Sequence, residues 1–183
     1  GKVAVNIPEL TITAGEAVGL VGNNGAGKTT LFRMILDLIR ASKGEVYSKG
    51  QNVAQSEEWK VYTGSHLDEG FLIDYLTVEE YFKFIGDLHG LSEGDITERL
   101  LPFMELFNDE ILNQRKYIRD FSKGNQKKIG IAAAVLTNPE LLILDEPFAN
   151  LDPSSQIRLK NLLRHLRAQK QMTMFISSHD LSH

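Results

Sequence analysis

The sequence predicts an α/β fold: a core built on a largely parallel sheet, with a small antiparallel β part at the N-terminus and a helical insert. Three observations carry this. Leu141–Leu144 is four consecutive apolar residues, the pattern of a parallel strand buried on both faces. Ala17–Val21 is a second compact apolar run, bounded by Gly15 and Gly22 and followed by a glycine-rich loop and a helix. Between these two runs, from Thr77 onward, apolar residues recur at helical rather than strand spacing.

Residues 3–7 and 10–12 read as short strands, with Pro8 placing them at an edge because it lacks an N–H donor. The helix after the glycine-rich loop begins near Lys28 and carries Leu31, Ile35, Leu38 and Ile39 at helical spacing. Lys43-Gly44-Glu45-Val46-Tyr47 turns into another strand. Thr77-Val78-Glu79-Glu80 has the form of a capping box, so a helix starts there. Tyr81, Phe84, Ile85 and Leu88 form its expected apolar face, and Gly90 ends it. Residues 95–107 read as a second helix with a kink at Pro102. Asp152-Pro153 combines a carboxylate cap with proline at the first helical position. Residues 172–178 supply the last strand. The expected organisation is one core from residues 1–65 and 136–183, with a helical subdomain, 66–135, inserted in it.

At 183 residues the chain is one domain by size, burying roughly 70% of its unfolded surface. Hydrophobic residues at 42% and charged residues at 24% exclude a disordered or fibrous chain. A net charge of -4 gives no bulk affinity for nucleic acid or anionic membrane. With no cysteine, disulfides, thiolate metal sites and a cysteine nucleophile are excluded. No apolar run approaches the ~18 residues of a membrane span, and residues 1–5 have no signal-peptide pattern. Work at a membrane would therefore go through a partner.

Two segments carry chemistry directly. Gly22-Asn23-Asn24-Gly25-Ala26-Gly27-Lys28-Thr29-Thr30 matches the phosphate-binding loop G-x-x-x-x-G-K-[ST]. Glycines let successive backbone N–H groups converge on phosphate oxygens, and the following helix adds its positive end. Lys28 supplies a point charge to the β- and γ-phosphates, and the Thr29 hydroxyl is a ligand for Mg2+. In the second segment, Asp145-Glu146-Pro147 follows the apolar strand. This puts two carboxylates at the carboxyl end of a buried strand, where open α/β sheets bind ligands. Asp145 is then expected to hold Mg2+ and Glu146 to polarise the attacking water. Taken alone, this segment reads better as a buried strand ending in solvated acids; the phosphate loop beside it reverses the reading.

Phe121-Ser122-Lys123-Gly124-Asn125-Gln126 opens a further helix. With this segment the chain resembles the ATP-binding cassette (ABC) ATPase family, whose signature Leu-Ser-Gly-Gly-Gln appears as Phe121-Ser122-Lys123-Gly124-Asn125. The form is similar to that of bacterial ABC exporters whose ATPase and membrane parts are separate chains. Ala149-Asn150-Leu151-Asp152 is similar to the family's D-loop, and Phe175-Ile176-Ser177-Ser178-His179-Asp180 resembles its switch-histidine segment. The resemblance covers nearly the whole chain and implies a P-loop NTPase core that binds ATP with Mg2+. It implies that Ser122, Gly124 and Asn125 bind the γ-phosphate held by an opposite subunit, and that His179 contacts the γ-phosphate beside Glu146.

Three departures stand out. The family's Q-loop glutamine would follow the strand near residues 59–62, where the chain reads Thr63-Gly64-Ser65-His66-Leu67-Asp68-Glu69, so His66 or an acid takes its place. No aromatic precedes Phe32, so the residue that stacks on adenine is either absent or lost with a late-starting chain. The chain stops four residues after His179, where family members usually continue, so a shortened chain is expected.

The function implied is that of the ATP-binding and hydrolysing subunit of an ABC transporter, coupling ATP-driven dimer closure to transport through separate membrane subunits. The implied partners are a second ABC subunit and integral membrane permease subunits, with no direct nucleic acid. The implied location is cytoplasmic, peripheral on the inner face of the cell membrane. The alternatives are a soluble ABC ATPase acting on ribosome or DNA, and a degenerate ATP-binding regulatory cassette. The apolar stretch Gly70-Phe71-Leu72-Ile73-Asp74-Tyr75-Leu76 is the candidate docking surface for a membrane partner, and local core packing explains it equally well.

Overall fold

The computed structural model describes residues 3–179. Its centre is a four-stranded sheet of β1 (Ala17–Val21), β4 (Thr63–His66), β5 (Leu141–Leu144) and β6 (Thr173–Ser178). The order across the sheet is β1-β6-β5-β4, and all three pairings are parallel. The register sets Val21 beside Ser178, Leu144 beside Ile176, and His66 beside Leu144. The carboxyl ends of all four strands therefore finish along one edge.

Alternation along the strands sends side chains to two cores. Ile143 and Phe175 join Leu31, Phe32 and Trp59 on one face. Leu142, Leu144 and Met174 join the larger core of the other face, with the long helices. Phe32, on α1 (Lys28–Ile35), meets Phe175 edge to face, with ring centroids 4.9 Å apart.

Residues 3–12 do not form the expected strands. The antiparallel pair of the fold is instead β2 (Tyr47–Ser48) with β3 (Gln51–Asn52). A strand needs a partner ladder as well as alternation. Among the described residues β1 pairs only with β6, and the segment ahead of it, interrupted by Pro8, pairs with neither strand of the antiparallel hairpin. Helix α1 also stops earlier than its apolar spacing implies. Asp37 adopts a left-handed conformation (φ 53°), and the Arg33 carbonyl accepts from the Leu38 and Ile39 amides at 2.8 and 3.3 Å. Leu38 and Ile39 thus lie in the turn beyond the helix and are exposed.

The helices between β4 and β5 are α2 (Val78–Leu88), α3 (Glu93–Leu100), α4 (Met104–Phe107) and α5 (Lys123–Leu136). Helix α2 starts with the expected capping box, Thr77 with Glu80, and Gly90 follows its end at φ 67°. Its buried face is one stripe away from the one expected. Val78, Tyr81 and Phe82 are buried, while Phe84 and Leu88 are 41% and 66% exposed. The two stripes share Tyr81 and Ile85, and tertiary contact decides between them: Phe82 stacks on Phe107 of α4 at 6.3 Å. Pro102 breaks the second helical region as a 3-10 turn, Leu101–Phe103, between α3 and α4. Helix α3 itself begins at Glu93, two residues earlier than read, because Ser92 and Asp95 form a second capping box.

Helix α5 lies against β4 with almost no side-chain layer between them. A Cβ at Gly64 would stand 2.1 Å from the Ala134 carbonyl oxygen, and one at Gly130 would stand 2.3 Å from the His66 ring. Helix α6 (Pro153–Lys170) begins as expected, with Asp152 accepting from the Ser155 amide at 3.0 Å. Hydrogen bonds from Ser154 and Ser155 hold the Asp152 carboxyl far below the usual carboxylate range. Among the described residues no helix is long and apolar enough to cross a membrane.

Candidate functional site

The strand ends assemble the phosphate loop, the two acids and His179, which the sequence analysis singled out. The loop after β1 carries Gly22, Asn23, Asn24, Gly25, Ala26 and Gly27, and Lys28, Thr29 and Thr30 form the first turn of α1. The loop is tied at its base, where the Gly22 amide donates to the Ser178 carbonyl at 3.2 Å, and across its neck, where Ala26 donates to the Asn23 carbonyl at 3.1 Å. Gly27 has a φ of 96°, and a Cβ there would stand 2.3 Å from the Ala4 carbonyl oxygen. Only glycine fits this position, for both conformation and space.

Lys28 is buried, and its ammonium turns back over the loop. It donates to the Gly22 carbonyl and to the Asn23 carbonyl at 3.3 Å, and lies 3.2 Å from Glu146 Oε1. A buried ammonium needs such partners. The Thr29 hydroxyl donates to Asp145 Oδ2, and the Ser177 hydroxyl donates to Asp145 Oδ1. Asp145 thus draws together α1, β5 and β6. Its amide donates to the His66 carbonyl at 3.0 Å, adding β4.

Glu146 sits beside Asp145 in a left-handed conformation, φ 47°. For a residue with a side chain this costs on the order of 1–3 kcal/mol, and such positions cluster at functional sites. Its Oε2 accepts from the His179 amide at 3.2 Å and lies 2.7 Å from His179 Nδ1. Burial pushes the Glu146 carboxyl up, but the hydrogen bonds and charges of His179 and Lys28 outweigh this and hold it below its ordinary value. Glu146 is therefore ionised at neutral pH. The switch-histidine segment lies within the described residues as far as His179, and Asp180 lies outside them.

Ser122, Gly124 and Asn125 stand apart from this cluster. Ser122 caps α5, accepting from the Asn125 amide at 3.2 Å, and Asn125 Nδ2 donates to Glu110 Oε2 at 3.4 Å. Among the described residues no hydrogen bond or ion pair joins these three to residues 22–30. Gly124 packs on the D-loop-like turn, where a Cβ would meet the Asn150 carbonyl oxygen at 2.8 Å. His66, one candidate for the glutamine's place, is buried on Gly130. Asp68 lies past the strand, its carboxylate accepting from the Gly70 amide at 2.6 Å.

Two residues of the site were not singled out by sequence reasoning. Ser177 bridges the two acids, donating to Asp145 and accepting from the Glu146 amide at 2.8 Å. Lys127 Nζ donates to the Glu146 carbonyl at 2.9 Å. A serine in a strand and a lysine in a helix carry no local signal of such roles.

The residues present fit a magnesium nucleotide. The Thr29 hydroxyl and the Asp145 carboxylate are hard oxygen donors already in contact, and the Lys28 ammonium lies at the mouth of a loop of backbone amides. No group of three or more His, Asp or Glu side chains forms a metal cage among the described residues. A bound Mg2+ would thus take its remaining ligands from phosphate and water, which is its usual habit.

Comparison with known proteins agrees with this geometry. The family model described as "ABC transporter" matches residues 5–149. An uncharacterised ABC transporter ATP-binding protein of Nostoc is 34% identical over 174 residues, covering 94% of this chain and 51% of its own length. The ABC transporter ATP-binding protein NatA of Bacillus subtilis is 36% identical, covering 96% of this chain and 72% of its own. Among solved structures, cbiO1 of Clostridium perfringens, part of the ABC transporter complex cbiONQ, superposes with a TM-score of 0.75 at 25% identity. That match covers 97% of this chain and 72% of cbiO1. The chain spans about half the length of some of the curated relatives it matches. A phosphate loop, a capped signature helix and an acidic strand end, in this order along the chain and arranged about a parallel sheet, together with a family model that matches residues 5–149, show that the chain belongs to the ABC transporter family, as an ATP-binding cassette of the ABC ATPases.

Proposed function

We propose that the chain is the ATP-binding and hydrolysing part of an ABC transporter, coupling closure of a cassette dimer to transport through separate membrane subunits. The observation that carries it is the union of Thr29 with Asp145 and Lys28 with Glu146, which brings the phosphate loop and both acids to one point. ATP would lie along residues 22–30, its phosphates taking the loop amides and Lys28. Mg2+, held by Thr29 and Asp145, would neutralise charge on the phosphate oxygens. Glu146 accepts a proton from, or orients, the attacking water, and His179 fixes the Glu146 carboxylate. Catalysis of this kind is mostly positioning and charge stabilisation.

Ser122, Gly124 and Asn125 would complete the site in trans. Ser122 caps a 14-residue helix, and among the described residues no hydrogen bond or ion pair joins Ser122, Gly124 or Asn125 to the loop. A second cassette, identical or related, is therefore the first partner, and residues 66–135 act as the inserted subdomain that carries them. The second partner is a permease. The segment 70–76 offers exposed Phe71 and Tyr75 beside a cavity of about 380 Å³ lined by Trp59, Leu67, Leu72 and Ile85. The part played by cbiO1, a subunit of a transporter complex, favours the same arrangement. The location is then cytoplasmic, peripheral on the inner face of the membrane.

The test is to tag the full-length gene product, solubilise native membranes and identify what co-purifies. A stoichiometric multi-span protein is expected. A soluble pool carrying only ribosomes, nucleic acid or itself would overturn the transporter reading.

A further inference from the structure

We infer that Lys127 is a positioning residue for Glu146, and that through it helix α5 sets the geometry of the acid that prepares water. The inference rests on the reading of Glu146 given above. Glu146 has a left-handed backbone, so its side-chain direction depends on what holds its two peptide groups. The peptide N–H donates to Ser177 Oγ at 2.8 Å, and Ser177 is itself fixed by donating to Asp145. The peptide C=O accepts from the Ala149 amide at 3.1 Å and from Lys127 Nζ at 2.9 Å. One side of the clamp thus belongs to β6 and the other to α5.

Lys127 is 6% exposed. An ammonium is removed from water at a heavy cost, so a lysine whose job was solubility would not lie here. A charged donor to a carbonyl is stronger than a neutral one, and it holds the carbonyl in a direction that the turn alone leaves soft. Lys127 lies five residues after Ser122, about a turn and a half into the helix. A displacement of the α5 N-terminus therefore moves the ammonium that fixes the Glu146 carbonyl. The carboxylate has its own partners, Lys28 at 3.2 Å and His179 at 2.7 Å. When phosphate engages Lys28, one of these is drawn away, and His179 and the main-chain clamp remain to aim Glu146. The effect of Lys127 belongs to turnover and not to nucleotide binding.

The experiment measures ATP affinity, KM and kcat in the full-length protein for Lys127→Met, Lys127→Arg, Glu146→Gln and the Lys127→Met/Glu146→Gln double variant. Lys127→Met is expected to lower kcat on the order of 10- to 100-fold, the scale of a misplaced reacting group. ATP affinity should be unchanged, which marks an interaction that matters only on the way to the transition state. Lys127→Arg keeps a charged donor and should recover most of the rate. In the Glu146→Gln background, Lys127→Met should add no further loss. Wild-type kcat in Lys127→Met, an equal loss in Lys127→Arg, or fully multiplied losses in the double variant would each overturn the inference. Wild-type turnover in Glu146→Gln alone would instead overturn the reading of Glu146, so the two failures are distinct. Should Lys127→Met not fold, Lys127→Gln removes the charge with a polar side chain and is read the same way.

Discussion

At the carboxyl ends of β1, β5 and β6, Lys28 pairs with Glu146, Thr29 and Ser177 both donate to Asp145, and His179 lies against Glu146, so each polar group has a specific partner. The helical region between β4 and β5 is held differently, by Phe82, Phe103, Leu106, Phe107 and Ile111, all almost fully buried, while an ion pair such as Lys83 with Asp87 lies at the surface. Polar groups out of water need a specific partner at a specific distance, whereas apolar groups need only matched volume. The first region is therefore brittle to changes of chemistry and the second to changes of size. The two should fail in separable ways, one in activity and the other in stability.

The sharpest test is Glu146→Gln, which alters one atom and almost no volume. ATP hydrolysis should fall by about 10²- to 10⁴-fold, the range of general-base loss, while ATP binding persists. Rapid-quench single turnovers measure it, and an unimpaired rate would show that the acid end is not specified by chemistry. Phe107→Ala tests the other region. Loss of a buried ring stacked on Phe82 should cost about 3–5 kcal/mol in urea unfolding. A cost under ~1 kcal/mol would mean that the helical region tolerates a void. Thr77→Ala removes the capping hydroxyl of α2 and should cost about 1 kcal/mol, with turnover per folded molecule unchanged.

The smallest effect is on acid stability. The folded Glu146 carboxyl lies below its ordinary 4.5, so its contribution is fully present above that pH and is lost as pH falls through the depressed value. The melting-temperature gap between wild type and Glu146→Gln should therefore narrow as pH drops below about 4.5. A gap that widened instead would mean that Lys28 and His179 do not stabilise the ionised form.

The loop at 22–30, β5 and the start of α6 were legible because each is written in consecutive residues: glycine spacing, an apolar run, a carboxylate before proline. The expected strands at 3–7 and 10–12 were not real strands, because alternation does not reveal whether a partner edge exists. The α2 stripe was misplaced because Phe84 and Phe82 are equally apolar, and only Phe107 chooses between them. Within the site, the loop and the acid pair could be read as motifs. The left-handed turn at Glu146 and its two clamps could not, since Lys127, Glu146 and Ser177 are brought together by register and not by spacing.

The close contact of α5 with β4, at Gly64 against the Ala134 carbonyl and at Gly130 against the His66 ring, leaves only a thin layer of side chain between helix and strand. Ordinary helix–sheet contacts have a thicker cushion, and rotamer changes within it absorb small displacements. At Gly64 backbone bears on backbone, so helix and strand are geared together: a tilt begun at Ser122 is passed to the strand end at His66 and to the Asp145 amide bonded there.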